Sequence, residues 1–142
     1  RRHHTRDINA TMAAAMRDGD AFAVFPEGST THGDVLLPFH ASLLQPALSC
    51  DAKIFPVAVR YSRDDGSLCS EADYEGEKSL VQSLLQLVTQ PRVHLDLHFL
   101  PPIDCAGRHR RDVADEAAER IAATLGLDAP STRAETARGR TA

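Results

Sequence analysis

The chain has 142 residues, of which 16 are basic and 20 acidic, and its net charge is −4. A chain of this length is expected to form one compact domain. Apolar residues make up 42% and charged residues 25%, which is typical of a globular protein and excludes collagen-like, coiled-coil and disulfide-scaffold classes. Because charge-driven binding of nucleic acid needs clustered cations, the negative balance argues against a nucleic-acid partner.

The first residue is Arg1 rather than Met, within the polar stretch RRHHTRD, which predicts that the sequence begins inside a longer protein. No segment approaches the roughly 18 consecutive apolar residues that a membrane span requires. The three cysteines are odd in number and widely spaced (Cys50, Cys69 and Cys105). This usage favours a reduced, cytosol-facing compartment.

The first predicted elements are a helix and a strand. Residues 8–18 (INATMAAAMRD) lack Gly and Pro, with Asp7 as the expected N-cap and Gly19 as the stop signal. Residues 21–25 (AFAVF) form a short apolar run of strand length, and it ends at Pro26, where a polar loop begins.

The middle of the chain alternates in the same way. Residues 39–50 are expected to be helical, with Pro46 as a kink or boundary. Residues 54–61 (IFPVAVRY) predict a second strand rich in β-branched side chains, suited to a sheet covered on both faces. A long loop is expected over 62–76, because its apolar residues follow no period.

Three further elements and a tail complete the pattern. Residues 77–88 place leucines at helical spacing. Residues 93–100 (VHLDLHFL) alternate as a strand that two prolines terminate, and 112–127 predict an amphipathic helix. Residues 128–142 are polar and are expected to be a disordered tail.

The order of elements predicts an α/β fold with a mixed, largely parallel sheet flanked by helices. Crossover helices between strands produce that arrangement. In such sheets, ligands bind in the loops beyond the carboxyl ends of the strands. The loop that follows residues 21–25 is therefore the first place to look for a site.

That loop brings a carboxylate, a glycine and hydroxyls together. Glu27 follows the proline at which strand pairing should stop, and Gly28 lets the backbone turn or approach a ligand closely. Ser29, Thr30 and Thr31 can bond a hydroxyl-rich or phosphorylated ligand, or they can simply satisfy the loop. On spacing alone, a capped turn whose glutamate faces water is the simpler explanation.

The string FPEG at residues 25–28, followed by hydroxyl residues, resembles the third motif of the glycerolipid acyltransferase family. Residues 54–59 (IFPVAV) are similar to the fourth motif, an apolar strand that holds a proline. Residues 37–45 resemble the helix that follows the third motif in bacterial members, and the arginine-rich residues 1–7 resemble the tail of the second motif. The resemblance spans about residues 1–125 and rests chiefly on FPEG.

The resemblance implies transfer of an acyl group from acyl-CoA or acyl carrier protein to the free hydroxyl of a lysophospholipid such as 1-acylglycerol-3-phosphate. It implies no cofactor or metal beyond that co-substrate, and a place at the cytoplasmic face of the cell membrane, in contact with the membrane surface. Residues 1–127 would then be the C-terminal part of an acyltransferase domain, a partial glycerolipid acyltransferase-like fold.

The family's catalytic pair, His-x-x-x-x-Asp, lies upstream of its second motif; its histidine acts as general base and its aspartate orients the imidazole. None of the seven histidines in this sequence has an aspartate five positions later. Together with the missing Met, this predicts an N-terminally truncated acyltransferase, which should be inactive as supplied.

The predicted substrate-binding residues follow from the same motifs: Glu27, Gly28, Ser29, Thr30, Arg2 and Arg6. The common third motif has an arginine, which helps to hold the acceptor's phosphate, where this chain has Thr30. The phosphate contact would then fall to Arg1, Arg2 or Arg6, or to Arg60. The change also leaves room for another lyso-acceptor, such as an amino-acid lipid.

Two other clusters have simpler explanations. His94, Asp96 and His98 share one face of a predicted strand and could form a metal triad, but the polar face of a one-sided strand is the favoured interpretation. The run 108–111 (RHRR) could contact anionic lipid headgroups, but a solvated loop opposed by the acidic first turn of the next helix is favoured.

Two alternatives to the enzyme are considered. A non-catalytic lipid- or acyl-carrier-binding module of the same fold would bind ligand without turnover. An unrelated α/β-hydrolase is disfavoured because no Gly-x-Ser-x-Gly sequence occurs.

Overall fold

The computed structural model describes residues 2–29, 31–69 and 92–130, with side chains from residue 7 onward. The described helices are α1 (Arg2–Arg17), α2 (Gln45–Ser49) and α3 (Arg110–Leu125), and a 3₁₀ turn at Ala41–Leu44 leads into α2. The described strands are β1 (Lys53–Ile54), β2 (Val57–Ser62), β3 (His94–Phe99) and β4 (Ile103–Asp104).

Helix α1 confirms the first predicted helix but starts earlier. The prediction of Asp7 as its N-cap is wrong, because Asp7 lies inside the helix, where its carbonyl accepts a hydrogen bond from Thr11 Oγ1 at 2.9 Å. Residues 2–6 contain no helix breaker, so the helix continues upstream. Its C-terminal end is as expected: Gly19 has φ +103°, Gly19 N donates to Met16 O, and Asp20 N donates to Ala15 O. These two bonds form a Schellman motif, which satisfies the last carbonyls of the helix.

The second predicted helix is divided at its proline. Pro46 stands in the first turn of α2, where its missing N–H leaves no helical bond unmade, and the residues before it form the 3₁₀ turn. Arg17 in α1 donates from Nη2 to Ser49 O at 2.9 Å and so ties the end of α1 to the end of α2. Pro46 is thus the boundary that its sequence position predicted.

The prediction of a largely parallel sheet is wrong for the described residues. They contain two separate two-stranded sheets, β1 with β4 and β2 with β3, and both pairs are antiparallel. Pro56, which has no N–H to give, interrupts the predicted strand 54–61 and separates β1 from β2. On the opposite side, Leu100 N donates to Pro56 O at 3.0 Å, and two prolines separate β3 from β4.

The predicted strand at 21–25 is also not formed. These residues run without strand pairing in the described part of the chain, and Phe25 is 82% exposed. A strand needs a neighbour to accept and donate its ladder hydrogen bonds. An apolar run indicates the propensity for a strand, but the strand forms only when a neighbouring strand pairs with it.

The β2–β3 ribbon separates apolar from polar side chains as the alternation in 93–100 predicted. In the register of the ribbon, Val59 faces Leu97 and Tyr61 faces Leu95, and these four side chains are exposed. On the opposite face, Ala58 is fully buried beneath the contact with α3. The apolar face of the ribbon is therefore open, and on the other face β2 is buried at Ala58 and Ser62 while β3 is exposed along its length.

The core lies between α3, the 3₁₀ turn and the β1–β4 pair. Its buried members are Leu44, Ala47, Ile103, Cys105, Val113, Ala114 and Ala117. Alanines on one side of α3 let the helix approach closely, and Val113 is completely buried. The helix predicted over 112–127 is confirmed; His109 Nδ1 accepts from Arg111 N at its start, and Gly126 ends it with φ +70°.

Three predictions fall wholly or partly on residues outside the described part of the chain: the end of the loop over 62–76, the helix over 77–88 and most of the tail over 128–142. In the described part, no helix combines the length and apolarity needed to cross a bilayer.

Candidate functional site

A tight turn presents the glutamate predicted from the sequence. Gly28 N donates to Phe25 O at 3.3 Å, which closes a turn with Pro26 and Glu27 at its centre. Proline presets the backbone for the first central position of such a turn. Gly28 adopts φ +68°, a left-handed conformation that glycine accepts at the lowest cost. The residues FPEG therefore encode a specific backbone shape.

The loop after the turn is closed at its base by two hydrogen bonds. Glu27 Oε2 accepts from Leu37 N at 3.0 Å, and His40 N donates to Pro26 O at 2.8 Å. Glu27 is half-buried rather than free in water. One carboxylate oxygen thus holds the loop, which leaves Oε1 as the oxygen that a ligand could use.

The hydroxyl residues behave differently from one another. Thr31 Oγ1 donates to Val35 O at 3.1 Å and accepts from Gly33 N at 3.3 Å, so this side chain organises the loop internally. Ser29 is exposed beside the turn. Thr30, predicted to bind substrate, lies outside the described residues.

The predicted phosphate-binding arginines are only partly located. Arg2 and Arg6 lie in the first turns of α1, but their side chains are outside the described part of the structure, as is Arg1. Arg60 is half-buried in β2, where the register places it opposite Asp96. No described contact joins any of the four to the turn at Glu27.

The two histidines of β3 have different neighbours. His94 Nε2 lies 2.6 Å from Asp64 Oδ1, and His98 stands opposite Ala58. Across the described ranges, no cluster of three His, Cys, Asp or Glu side chains could hold a metal ion.

The basic run 108–111, which overlaps the start of α3, is largely occupied by internal contacts. Arg108 Nη1 lies 2.6 Å from Glu116 Oε2, and Arg110 Nη1 donates to Gln45 Oε1 at 3.3 Å. A cavity of about 450 Å³ lies beside this run, lined by Gln45, Leu48, Cys105, Gly107, Arg108, His109 and Arg110. Neither Glu27 nor Gly28 lines it, so this cavity is separate from the turn.

Sequence reasoning missed His40 as a neighbour of the turn. Its imidazole packs so closely on Gly28 that a Cβ atom there would lie 2.8 Å from His40 Cδ2 and 3.0 Å from Nε2. The available signal was weak, since His40 stands twelve positions after Gly28 within a segment assigned to a helix.

Comparisons with known proteins bear on the same region. A family model described as Acyltransferase matches residues 1–60, which contain the turn. The chain is 33% identical over 128 residues to a lyso-ornithine lipid O-acyltransferase of Pseudomonas aeruginosa, covering 89% of this chain and 49% of that relative. It is 30% identical over 129 residues to a 1-acyl-sn-glycerol-3-phosphate acyltransferase of Neisseria gonorrhoeae, covering 90% and 50%.

The chain thus spans about half the length of the curated relatives it matches. No solved structure gives a significant match.

Proposed function

Because the chain belongs to the glycerolipid acyltransferase family, we propose that it supplies the acceptor-binding part of an enzyme that esterifies a lysophospholipid. The observation that carries the proposal is the turn at residues 25–28. It lies within the matched region and holds Glu27 half-buried with one oxygen already fixed by Leu37 N. A carboxylate accepts but does not donate hydrogen bonds, so its second oxygen suits the O–H of a bound acceptor.

The proposed reaction balances without an oxidant or reductant. The acceptor's hydroxyl oxygen attacks the carbonyl carbon of an acyl thioester, the C–S bond breaks, and an ester C–O bond forms. The hydroxyl proton leaves through a general base and ends on the departing thiolate. Acyl-CoA or acyl carrier protein is the proposed donor. The proposed site of action is the cytoplasmic face of the membrane.

In this proposal the residues of the turn bind the acceptor, and they do not perform the proton transfer. No His-x-x-x-x-Asp pair occurs in the 142 residues, so the turn's contribution is expected in binding. A fixed carboxylate that holds the acceptor hydroxyl in place lowers the entropy that must still be lost when this hydroxyl reaches the acyl donor. Loss of that contact should therefore raise the acceptor KM.

The test is an acyltransfer assay on the protein expressed from its complete gene. Radiolabelled acyl-CoA or acyl carrier protein is the donor, and 1-acylglycerol-3-phosphate or a lyso-ornithine lipid is the acceptor. Glu27→Ala should raise the acceptor KM by about tenfold, the effect of one hydrogen bond to a charged group, and leave the donor KM unchanged. A change confined to the donor KM would refute the role of Glu27.

A non-catalytic lipid-binding module of the same fold is the competing proposal, because the described turn at Glu27 accounts for binding of an acceptor but for no chemical step. It predicts saturable binding of the acceptor by the protein from the complete gene, with no labelled ester formed from either donor. Formation of labelled ester would eliminate it.

A further inference from the structure

The imidazole of His40 covers the backbone of the FPEG turn. Any Cβ atom at Gly28 would lie 2.8 Å from His40 Cδ2, which is closer than two carbon atoms can pack. Gly28 therefore serves two purposes: it adopts φ +68°, and it makes room for the ring. The ring is held against the turn by the shape of the loop, although the two residues are twelve positions apart.

The backbone of His40 fixes the ring in that place. His40 N donates to Pro26 O at 2.8 Å, and the chain enters the 3₁₀ turn immediately afterwards. The residue is nevertheless exposed, and its imidazole makes no hydrogen bond within the described part of the chain. The imidazole is thus positioned at the turn on an exposed residue.

Three backbone donors at the turn are already used. Gly28 N donates to Phe25 O, His40 N donates to Pro26 O, and Leu37 N donates to Glu27 Oε2. Ser29 adds one neutral hydroxyl, whereas an imidazole donates from nitrogen and can also carry a positive charge. Among the described side chains at the turn, His40 therefore offers an oxyanion a nitrogen donor packed against Gly28, whereas the Glu27 carboxylate repels it.

We propose that His40 is a specificity-determining residue that donates an imidazole N–H to an anionic oxygen of the acceptor's head group. Glu27 Oε1 takes the acceptor hydroxyl, and His40 takes the phosphate or carboxylate oxygen of the same molecule. This inference rests on the proposed function, since it assigns the second polar contact of that acceptor. The two side chains bind different groups of the acceptor, because the Glu27 carboxylate only accepts hydrogen bonds and the His40 imidazole donates one.

The test is a titration of the protein expressed from its complete gene and isotopically labelled at its histidines, followed by the ring signals of His40 in nuclear magnetic resonance spectra at constant pH. The probes are 1-hexanoylglycerol-3-phosphate, a short-chain lyso-ornithine lipid, 1-hexanoylglycerol and inorganic phosphate. We expect saturable shifts of the His40 signals with the two anionic lipids and none with 1-hexanoylglycerol. Inorganic phosphate should need at least about tenfold higher concentrations, because it lacks the hydroxyl-bearing part that Glu27 holds. The comparison of the two lipids tells whether phosphate or carboxylate is preferred.

Variants make the assignment specific. His40→Ala should weaken binding of the preferred lipid by about tenfold, and His40→Gln, which keeps a donor, should weaken it less. The matched control is His98→Ala, an exposed histidine on β3, which should bind as the parent chain does. Circular dichroism of each variant checks that the fold is retained.

Three outcomes would overturn the proposal. In the first, His40→Ala binds the lipids as tightly as the parent does while Glu27→Ala loses binding. This result would refute the role of His40 but not the proposed function. Another is inorganic phosphate that binds as tightly as the lipids, which marks a general anion site. The third is no binding of either lipid by the parent chain, which removes the acceptor site itself and contradicts the proposed function as well.

Discussion

Glu27 Oε2 accepts a hydrogen bond from Leu37 N at 3.0 Å, which joins the centre of the FPEG turn to a residue ten positions later. The glutamate predicted to bind substrate thus also closes the loop that follows it. A half-buried carboxylate that receives a backbone N–H is fixed in orientation, which is what a binding group needs. Loop geometry and ligand contact are combined in one side chain through its two oxygens.

Substitution of Glu27 should separate these two contributions. Glu27→Gln keeps an oxygen that can accept from Leu37 N, so its free energy of unfolding should stay within about 0.5 kcal/mol of the parent value. Glu27→Ala leaves Leu37 N without its partner and should lower the free energy of unfolding by about 1 kcal/mol. Urea denaturation measures both. Equal loss of stability in the two variants would show that the charge, and not the hydrogen bond, supports the loop.

Local signals predicted the helices well. Gly19 ends α1 as expected, since a left-handed residue after a helix depends only on its neighbours, and Gly126 ends α3 in the same way. Pro46 likewise marks the start of α2. The start of α1 was missed, because Asp7 satisfies the pattern of an N-cap but nothing before it stops the helix.

Non-local pairing was harder to predict. Residues 21–25 have the composition of a buried strand yet form none, since no described strand lies beside them. The parallel sheet failed for the same reason: β2 pairs with β3 and β1 with β4, all antiparallel, and sequence alone does not specify partners. At the site, the turn around Glu27 was predictable from Pro26 and Gly28, whereas its contacts with Leu37 N and His40 depend on how the loop folds back.

The packing of α3 onto the core should depend strongly on Val113, whose side chain is completely buried. Val113→Ala removes two methyl groups and leaves a cavity, so we expect the free energy of unfolding to fall by about 2 kcal/mol. The matched control is Val35→Ala, where the side chain is 52% exposed and the loss should be under about 0.5 kcal/mol. Similar losses in the two variants, measured by urea denaturation, would contradict the assigned core.

The cysteines should differ in reactivity. Cys105 is buried, and this burial, with the Asp104 carboxylate as a smaller cause, raises the pKa of its thiol above the ordinary value. Because the thiolate is the nucleophile, iodoacetamide at pH 7.5 should alkylate the half-exposed Cys50 before Cys105. Mass spectrometry of the peptides gives both rates. In urea the difference should disappear, and faster labelling of Cys105 in the folded chain would contradict its burial.

The ion pairs of α3 should make stability depend on pH. Glu116 contacts both Arg108 and Arg120, and the hydrogen bond from Arg108 is the main cause that holds the pKa of Glu116 below its ordinary value. A carboxylate whose pKa is lower in the folded than in the unfolded chain stabilises the fold above its unfolded pKa. That contribution disappears as the pH falls through the folded pKa.

Glu116→Gln should therefore be less stable than the parent chain at pH 7, by less than about 1 kcal/mol because the pair is partly solvated. The difference should shrink steadily as the pH is lowered below about 4.5, the ordinary value for a glutamate. The matched control is Glu119→Gln, an exposed glutamate of the same helix, which should change stability little at either pH. Urea denaturation at a series of pH values tests this, and a difference that persists unchanged at pH 3 would mean that Glu116 stabilises α3 by something other than its charge.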